Sequence, residues 1–156
     1  GTPRCSNGGL ATPHDSGTTH VAVRAVQVGA GSGKIRDQGE MASAMTRFTR
    51  AVMAARQSAI QRGMPAYFKH DGSSIWVTLD TTGNNVDSVI VTAAIDLNDM
   101  YNVQVTEPAG MVAIMYDPRG VSTQPTQQVF HFEHVGGRRD SLCVSRLGNT
   151  IRQRCP

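Results

Sequence analysis

Two cysteines near the end of the chain have a spacing that suits an oxidative cross-link. Cys143 and Cys155 stand symmetrically about Asn149, between short runs of residues typical of strands. A turn over residues 148–150 would place the two cysteines directly opposite each other in an antiparallel hairpin. The Cα atoms of such a pair lie about 4.5–5.5 Å apart, which is within disulfide range. The sequence therefore predicts a disulfide-linked C-terminal hairpin that matures outside the cytosol.

The same region is strongly basic, although the whole chain has a formal net charge of only +3. In the predicted hairpin, Arg146 lies opposite Arg152, and Arg154 shares their face. Like charges in these positions repel each other, so we expect an anionic partner, either an acidic side chain of this domain or a neighbouring subunit, or nucleic-acid phosphate. The candidate contact for DNA or for an acidic partner comprises Arg138, Arg139, Arg146, Arg152 and Arg154.

One segment partly matches a phosphate-binding loop. Residues 29–34 read Gly-Ala-Gly-Ser-Gly-Lys, but the P-loop pattern requires glycine at position 28 and serine or threonine at position 35. Val28 and Ile35 occupy these positions. The segment is therefore predicted to be a flexible linker, and no nucleotide cofactor is expected.

Histidine-containing segments give no support for a metal or catalytic site. On a strand, His131 and Glu133 would face one side and His134 the other, so the three cannot converge on zinc. The run from His14 to Ser16 has the residue types of a catalytic triad, but neighbouring residues in an irregular segment cannot adopt its geometry. We therefore predict a non-enzymatic protein without a metal site or a cofactor.

The elements that position these residues begin with a helix. Asp37 and Glu40 have the spacing of a capping box, and Gly63 followed by Pro65 provides a stop signal, which predicts a helix over residues 38–62. An apolar stripe recurs at steps of three and four along this helix and is expected in the core; it comprises Met41, Met45, Phe48, Val52, Ala55 and Ala59.

Beyond Pro65 the pattern changes to short strands separated by turn residues. Strands are predicted over residues 66–70, 75–79, 88–94, 101–106, 111–116 and 128–135, followed by the hairpin from residue 142. One helix followed by many strands indicates an α+β fold in which the helix packs on antiparallel sheet. Residues 1–36 are predicted to be an irregular arm that contains Cys5, and residues 37–156 a single globular head.

Three segments together resemble a known family. They are the helix end from Ala54 to Pro65, which runs directly into a strand, the turn from Tyr116 to Gly120, and the closing segment from Cys143 to Gly148. In this order they are similar to the GspH/FimT family of type II secretion pseudopilins and type IV minor pilins. The resemblance covers about residues 40–156.

The resemblance implies a pilin-like head that contacts other pilin or pseudopilin subunits in a secretion pseudopilus or a type IV pilus. It also implies an extracytoplasmic location, in the periplasm or at the cell surface. Family members begin with a hydrophobic helix that anchors them in the inner membrane before assembly, and this chain shows no such segment. DNA-binding members carry Gly-Arg-x-Arg in the closing turn, whereas Asn149 follows Gly148 here; DNA uptake is therefore kept as the alternative role.

Overall fold

The computed structural model describes residues 29–84 and 89–152. The arm before Gly29, together with Arg154 and Cys155, lies outside the described residues. The elements, in chain order, are α1 Gly29–Arg62, β1 Ala66–Asp71, β2 Ser74–Leu79, β3 Val89–Asp96, α2 Leu97–Tyr101, β4 Val103–Glu107, β5 Met111–Tyr116, β6 Gln128–His134, β7 Arg139–Val144 and β8 Thr150–Arg152.

The strands form two antiparallel four-stranded sheets. The first sheet has the order β3-β2-β1-β5, and the second has the order β4-β6-β7-β8. One long helix followed by antiparallel sheets confirms the predicted α+β architecture. The predicted strand over residues 111–116 has the same bounds in the structure, and most of the others differ by one or two residues.

Helix α1 joins the two sheets through its apolar stripe. All six predicted stripe residues are buried, and Phe48 lies at the centre of the contact. Its ring centroid is 4.7 Å from that of Phe68 in the first sheet, and 4.8 Å and 5.1 Å from those of Phe130 and Phe132 in the second. One aromatic side chain of the helix thus contacts both sheets, and burying it removes a large apolar surface from water.

The helix begins earlier than the sequence predicted. It starts at Gly29 rather than Gln38, so the predicted linker over residues 29–34 is helical and the predicted capping box lies inside the helix. The expectation relied on the low helix propensity of glycine, which costs about 1 kcal/mol per residue relative to alanine and does not by itself decide whether a segment is helical. Glu40, expected at the cap, bonds to other elements instead. At the other end, Gly63 has the predicted left-handed conformation, with φ of 63°.

A short helix, α2, was not predicted. Asp96 caps its start, because its carboxylate accepts hydrogen bonds from the backbone N–H groups of Asn98 and Asp99 at 2.8 Å and 3.2 Å. Asn102 ends the helix in a left-handed conformation with φ of 54°. The strand expected from Tyr101 therefore starts at Val103.

The C-terminal hairpin forms, but in a different register from the predicted one. The backbone N–H of Ser145 donates to the carbonyl of Asn149 at 2.9 Å, so the turn is centred on Leu147 rather than Asn149. Cys143 therefore lies opposite Ile151 and not opposite Cys155. Register follows the turn, and a turn moved by two residues changes every cross-strand pair. Cys143 is buried on β7, and its disulfide with Cys155 stays a prediction.

Candidate functional site

The hairpin register seen in the structure separates the arginines that were expected to converge. Arg146 lies outside the paired strands, and Arg152 lies opposite Leu142, so the predicted cross-strand pair of arginines is wrong. Arg152 donates instead to the nearly buried carboxylate of Asp140, with 2.9 Å between Nη2 and Oδ2. An acidic side chain of the same domain thus compensates this arginine, which is one of the alternatives expected from the sequence.

The remaining arginines of the cluster have different surroundings. Arg139 pairs with Glu133 at 3.1 Å on the exposed side of β6 and β7. Within the described part of the chain, Arg146 forms no ion pair, and the buried Nε of Arg138 has no hydrogen-bond partner. Arg154 lies outside the described residues. The structure therefore does not bring these side chains together as one patch in the predicted way.

Strand β6 alternates as predicted. His131 is half exposed, with its Nε2 3.8 Å from the carboxylate of Glu107, whereas His134 is 3% exposed and faces the core with Phe130 and Phe132. The two histidines therefore lie on opposite faces of the strand. Across residues 29–84 and 89–152, no group of three histidine, cysteine or acidic side chains could hold a metal ion.

Buried His134 belongs to a polar contact between α1 and the second sheet. Its Nε2 lies 2.8 Å from the carboxylate of Glu40, and its Nδ1 accepts the backbone N–H of Gly136 at 2.9 Å. Because the Gly136 amide makes Nδ1 an acceptor, Nε2 is the ring atom that donates to Glu40. Glu40 also accepts from Arg36 at 2.8 Å and from Asn102 at 3.1 Å. The sequence assigned Glu40 to a helix cap and gave no signal for this contact.

These hydrogen bonds stabilise the ionised form of Glu40. They lower the pKa of this carboxyl group from 4.5 to about 2, with the hydrogen bond from His134 as the largest cause, followed by those from Arg36 and Asn102. Glu40 therefore stays ionised well into the acid range and links three separate elements of the head.

A second junction lies at the other end of α1, around Arg56. Its Nε donates to the carbonyl of Gly120 at 3.1 Å. A Cβ atom at Gly120 would lie 2.5 Å from Cδ1 of Ile60, and one at Gly148 would lie 3.1 Å from Cδ of Arg56. Both glycines have positive φ, of 76° and 72°. A side chain at Gly120 would therefore have to displace the Ile60 side chain, and one at Gly148 would press on the Arg56 side chain, in addition to the strain of a positive φ.

The turn before Gly120 is held by its own hydrogen bonds. The Oδ1 atom of Asp117 accepts the backbone N–H groups of Arg119 and Val121 at 2.9 Å and 3.0 Å, and its Oδ2 pairs with the Arg119 guanidinium at 2.7 Å. The Val121 amide is the largest of the causes that lower the pKa of Asp117. The junction thus brings together the helix end, this turn and the closing turn, which are far apart in the sequence.

The sequence model of the family described as Type II transport protein GspH matches residues 44–148, which include all three segments of the junction. The chain belongs to the GspH family. No curated protein sequence matches it. The membership confirms the resemblance on which the sequence prediction relied.

Two crystal structures of a type IV minor pilin are similar in fold to this chain. One crystal structure of the type IV minor pilin FimU from Pseudomonas aeruginosa PAO1, in space group P21, aligns with a TM-score of 0.57 at 13% identity and covers 77% of this chain and 92% of FimU. A second, in space group P65, has a TM-score of 0.53 at 13% identity and covers 72% and 91%. At this identity the similarity shows a pilin-like fold.

The GspH family and the pilin fold consist of structural proteins that are generally non-enzymatic, and their heads are extracytoplasmic in the assembled form. In the part of this GspH-family chain that the structure describes, no helix is long and apolar enough to cross a membrane.

We predict that the contact at Glu40 stabilises the folded head near neutral pH and that this stabilisation is lost at acid pH. The folded pKa is about 2 against an ordinary value of 4.5, so the stabilisation is fully present above pH 4.5 and is lost as pH falls towards 2. Thermal unfolding at a series of pH values should show a lower Tm for Glu40→Gln near neutral pH, and a difference from the unchanged protein that shrinks across this window.

The matched control for this experiment is Glu107→Gln, because the carboxylate of Glu107 is largely exposed and its Oε2 lies 3.8 Å from Nε2 of His131. This control should follow the pH dependence of the unchanged protein. A Tm difference for Glu40→Gln that stays constant from neutral pH to pH 2 would contradict the assignment.

Proposed function

We propose that this chain is the head of a minor pilin or pseudopilin, which contacts other pilin subunits in a type II secretion pseudopilus or a type IV pilus. The match of the GspH family over residues 44–148 carries the proposal, and the fold shared with FimU supports it. In this role the head is exported, and the family's hydrophobic helix anchors the full-length form in the inner membrane before assembly. The disulfide between Cys143 and Cys155 belongs to the same proposal, since it needs an oxidising compartment.

The outer face of α1 is the surface that suits contacts with other subunits. Arg50 is exposed there and forms no ion pair among the residues that the structure describes. It lies between two open grooves, one bounded by Arg47 and Tyr101 and the other by Leu142 and Arg152. An exposed arginine between two grooves can enter an interface without first breaking a contact within its own domain.

We predict that reversing this charge impairs assembly without unfolding the head. In cells that lack the gene for this chain, supplying the unchanged gene should restore filament-dependent secretion or surface pili. Arg50→Glu should restore about tenfold less secretion or surface pili. The reason is that a glutamate here would repel the acidic side chains that an arginine attracts, and like charges placed across an interface are costly. The measurement is the amount of secreted substrate or sheared pili, with circular dichroism to confirm folding.

Arg62→Glu is the matched control for this substitution, since Arg62 is also an exposed arginine of α1 without an ion pair among the described residues, but it borders neither groove. This variant should assemble like the unchanged protein. Normal secretion and normal pili in cells without the gene would reject the proposed function itself.

DNA capture through the C-terminal arginines is the second candidate function. Its supporting observation is the exposed Arg146 in the closing turn, which has no ion pair among the described residues. On this candidate, affinity for duplex DNA falls between about 50 and 200 mM salt, with a log-log slope of about −3.6 for about four phosphate contacts. Arg146→Glu should weaken binding and lower the slope, whereas Arg62→Glu at the end of α1 should not. Absence of binding at low salt would exclude the candidate.

A further inference from the structure

Strand β3 forms an edge of the first sheet and exposes apolar side chains along it. Within residues 29–84 and 89–152, it pairs only with β2, so its outer edge carries no partner strand. Three consecutive residues, Val89, Ile90 and Val91, are 47%, 69% and 43% exposed. Neighbouring residues of a strand point to opposite faces, so this exposure shows that both faces of β3 are uncovered at this end.

The other sheet edges among the described residues are shorter or partly covered. The outer edge of β5 is bridged through Ser122, and the backbone N–H of Thr123 donates to the carbonyl of Met115 at 3.0 Å. On β4, the backbone N–H of Val105 approaches the carbonyl of Gly72 at 3.4 Å. Strand β8 has three residues, whereas β3 has eight. Strand β3 is therefore the long edge available for pairing.

The sequence of β3 also lacks most of the features that protect edge strands. From Val89 to Ile95 it contains no charged residue and no proline. Its remaining protection is irregular pairing with β2, where the register shifts twice between Ile75 and Thr78. Such bulges bend an edge and discourage a flat partner strand. A partner with the same bend would not meet this obstacle.

We propose that β3 pairs antiparallel with β3 of a second copy of this chain, about a twofold axis at Thr92. In this register Val91 lies opposite Ala93, and Ile90 lies opposite Ala94 of the other copy, so these two large side chains each face a small one, while Val89 faces Ile95. Thr92 meets its own copy, and no like charges face each other. The same surface of both copies is thus complementary to itself, as a twofold interface requires.

Pairing of this kind joins the first sheet of one head to the first sheet of the other, so that they form one continuous sheet. It satisfies the backbone groups along the free edge and covers the exposed apolar side chains. A single strand pair is smaller than a standard interface of about 1,200–2,000 Å², so the dimer is expected to be reversible, with a Kd in the micromolar range or weaker. The inference goes beyond the proposed function, because it concerns contacts between two copies of the same head.

Sedimentation equilibrium of the full chain over a range of concentrations tests the proposal. The unchanged protein should show a monomer–dimer equilibrium, and Ile90→Lys should weaken it by at least about tenfold, since a charged lysine on an edge strand opposes pairing and would be covered by the other copy. Met111→Lys is the matched control, because Met111 is 66% exposed at the start of β5, on the opposite edge of this sheet. This control should dimerise like the unchanged protein.

A second measurement does not depend on the affinity. Thr92→Cys should form a disulfide-linked dimer under mild oxidation, because the two Cα atoms at the twofold axis would lie within bonding range. Ser43→Cys on the outer face of α1 should not. Normal melting curves for all variants confirm that they fold.

Three outcomes would overturn the pairing of two copies. The first is a monomer at all concentrations together with no cross-link through Thr92→Cys. The second is an unchanged protein that stays monomeric, together with an Ile90→Lys variant that impairs filament assembly in cells. This result would assign the edge to a strand of a different subunit. The third is a dimer that Met111→Lys weakens and Ile90→Lys does not, which would assign the contact to β5. The first and third leave the proposed function standing, because cellular complementation tests that function separately.

Discussion

The close approach of α1 to two glycine turns is the constraint on which the head depends. Gly120 follows the last strand of the first sheet, and Gly148 lies in the hairpin of the second, yet both contact the same turns of the helix through Arg56 and Ile60. A side chain at Gly120 would have to displace Ile60, and one at Gly148 would press on the Arg56 side chain. The helix therefore fixes how the two sheets lie relative to each other, and Phe48 fills the space between them.

This arrangement leaves the described part of the head suited to contacts with other macromolecules. The inward side of the helix is fully used by the core, and the polar groups near it, such as Glu40 and His134, bond to each other. The surfaces that stay open in the described part of the chain include the outer face of α1 with Arg50 and the outer edge of β3. Both are broad and open, as interfaces between subunits are, and neither encloses a volume in which a small substrate could be shielded from water.

The sequence predicted those features that depend on local periodicity, and missed those that depend on distant partners. The stripe around Phe48 and the alternation around His131 and His134 were read correctly, because burial follows the helical and strand periods. The hairpin register was missed because both Leu147 and Asn149 offer plausible turn centres, and the hydrogen bonds between Ser145 and Asn149 that fix the turn on Leu147 have no signature in the sequence pattern. The role of Glu40 was missed because His134 is far away in the sequence.

The most direct test of the account compares Gly120→Ala with Gly110→Ala in chemical denaturation. Both glycines have nearly the same positive φ, of 76° and 78°, but a Cβ at Gly110 meets nothing within 4 Å. Each variant should lose about 1–2 kcal/mol of unfolding free energy through backbone strain, and Gly120→Ala should lose about 1–3 kcal/mol more through crowding of α1. Equal losses in the two variants would contradict the claim that the helix and the turns require this close approach.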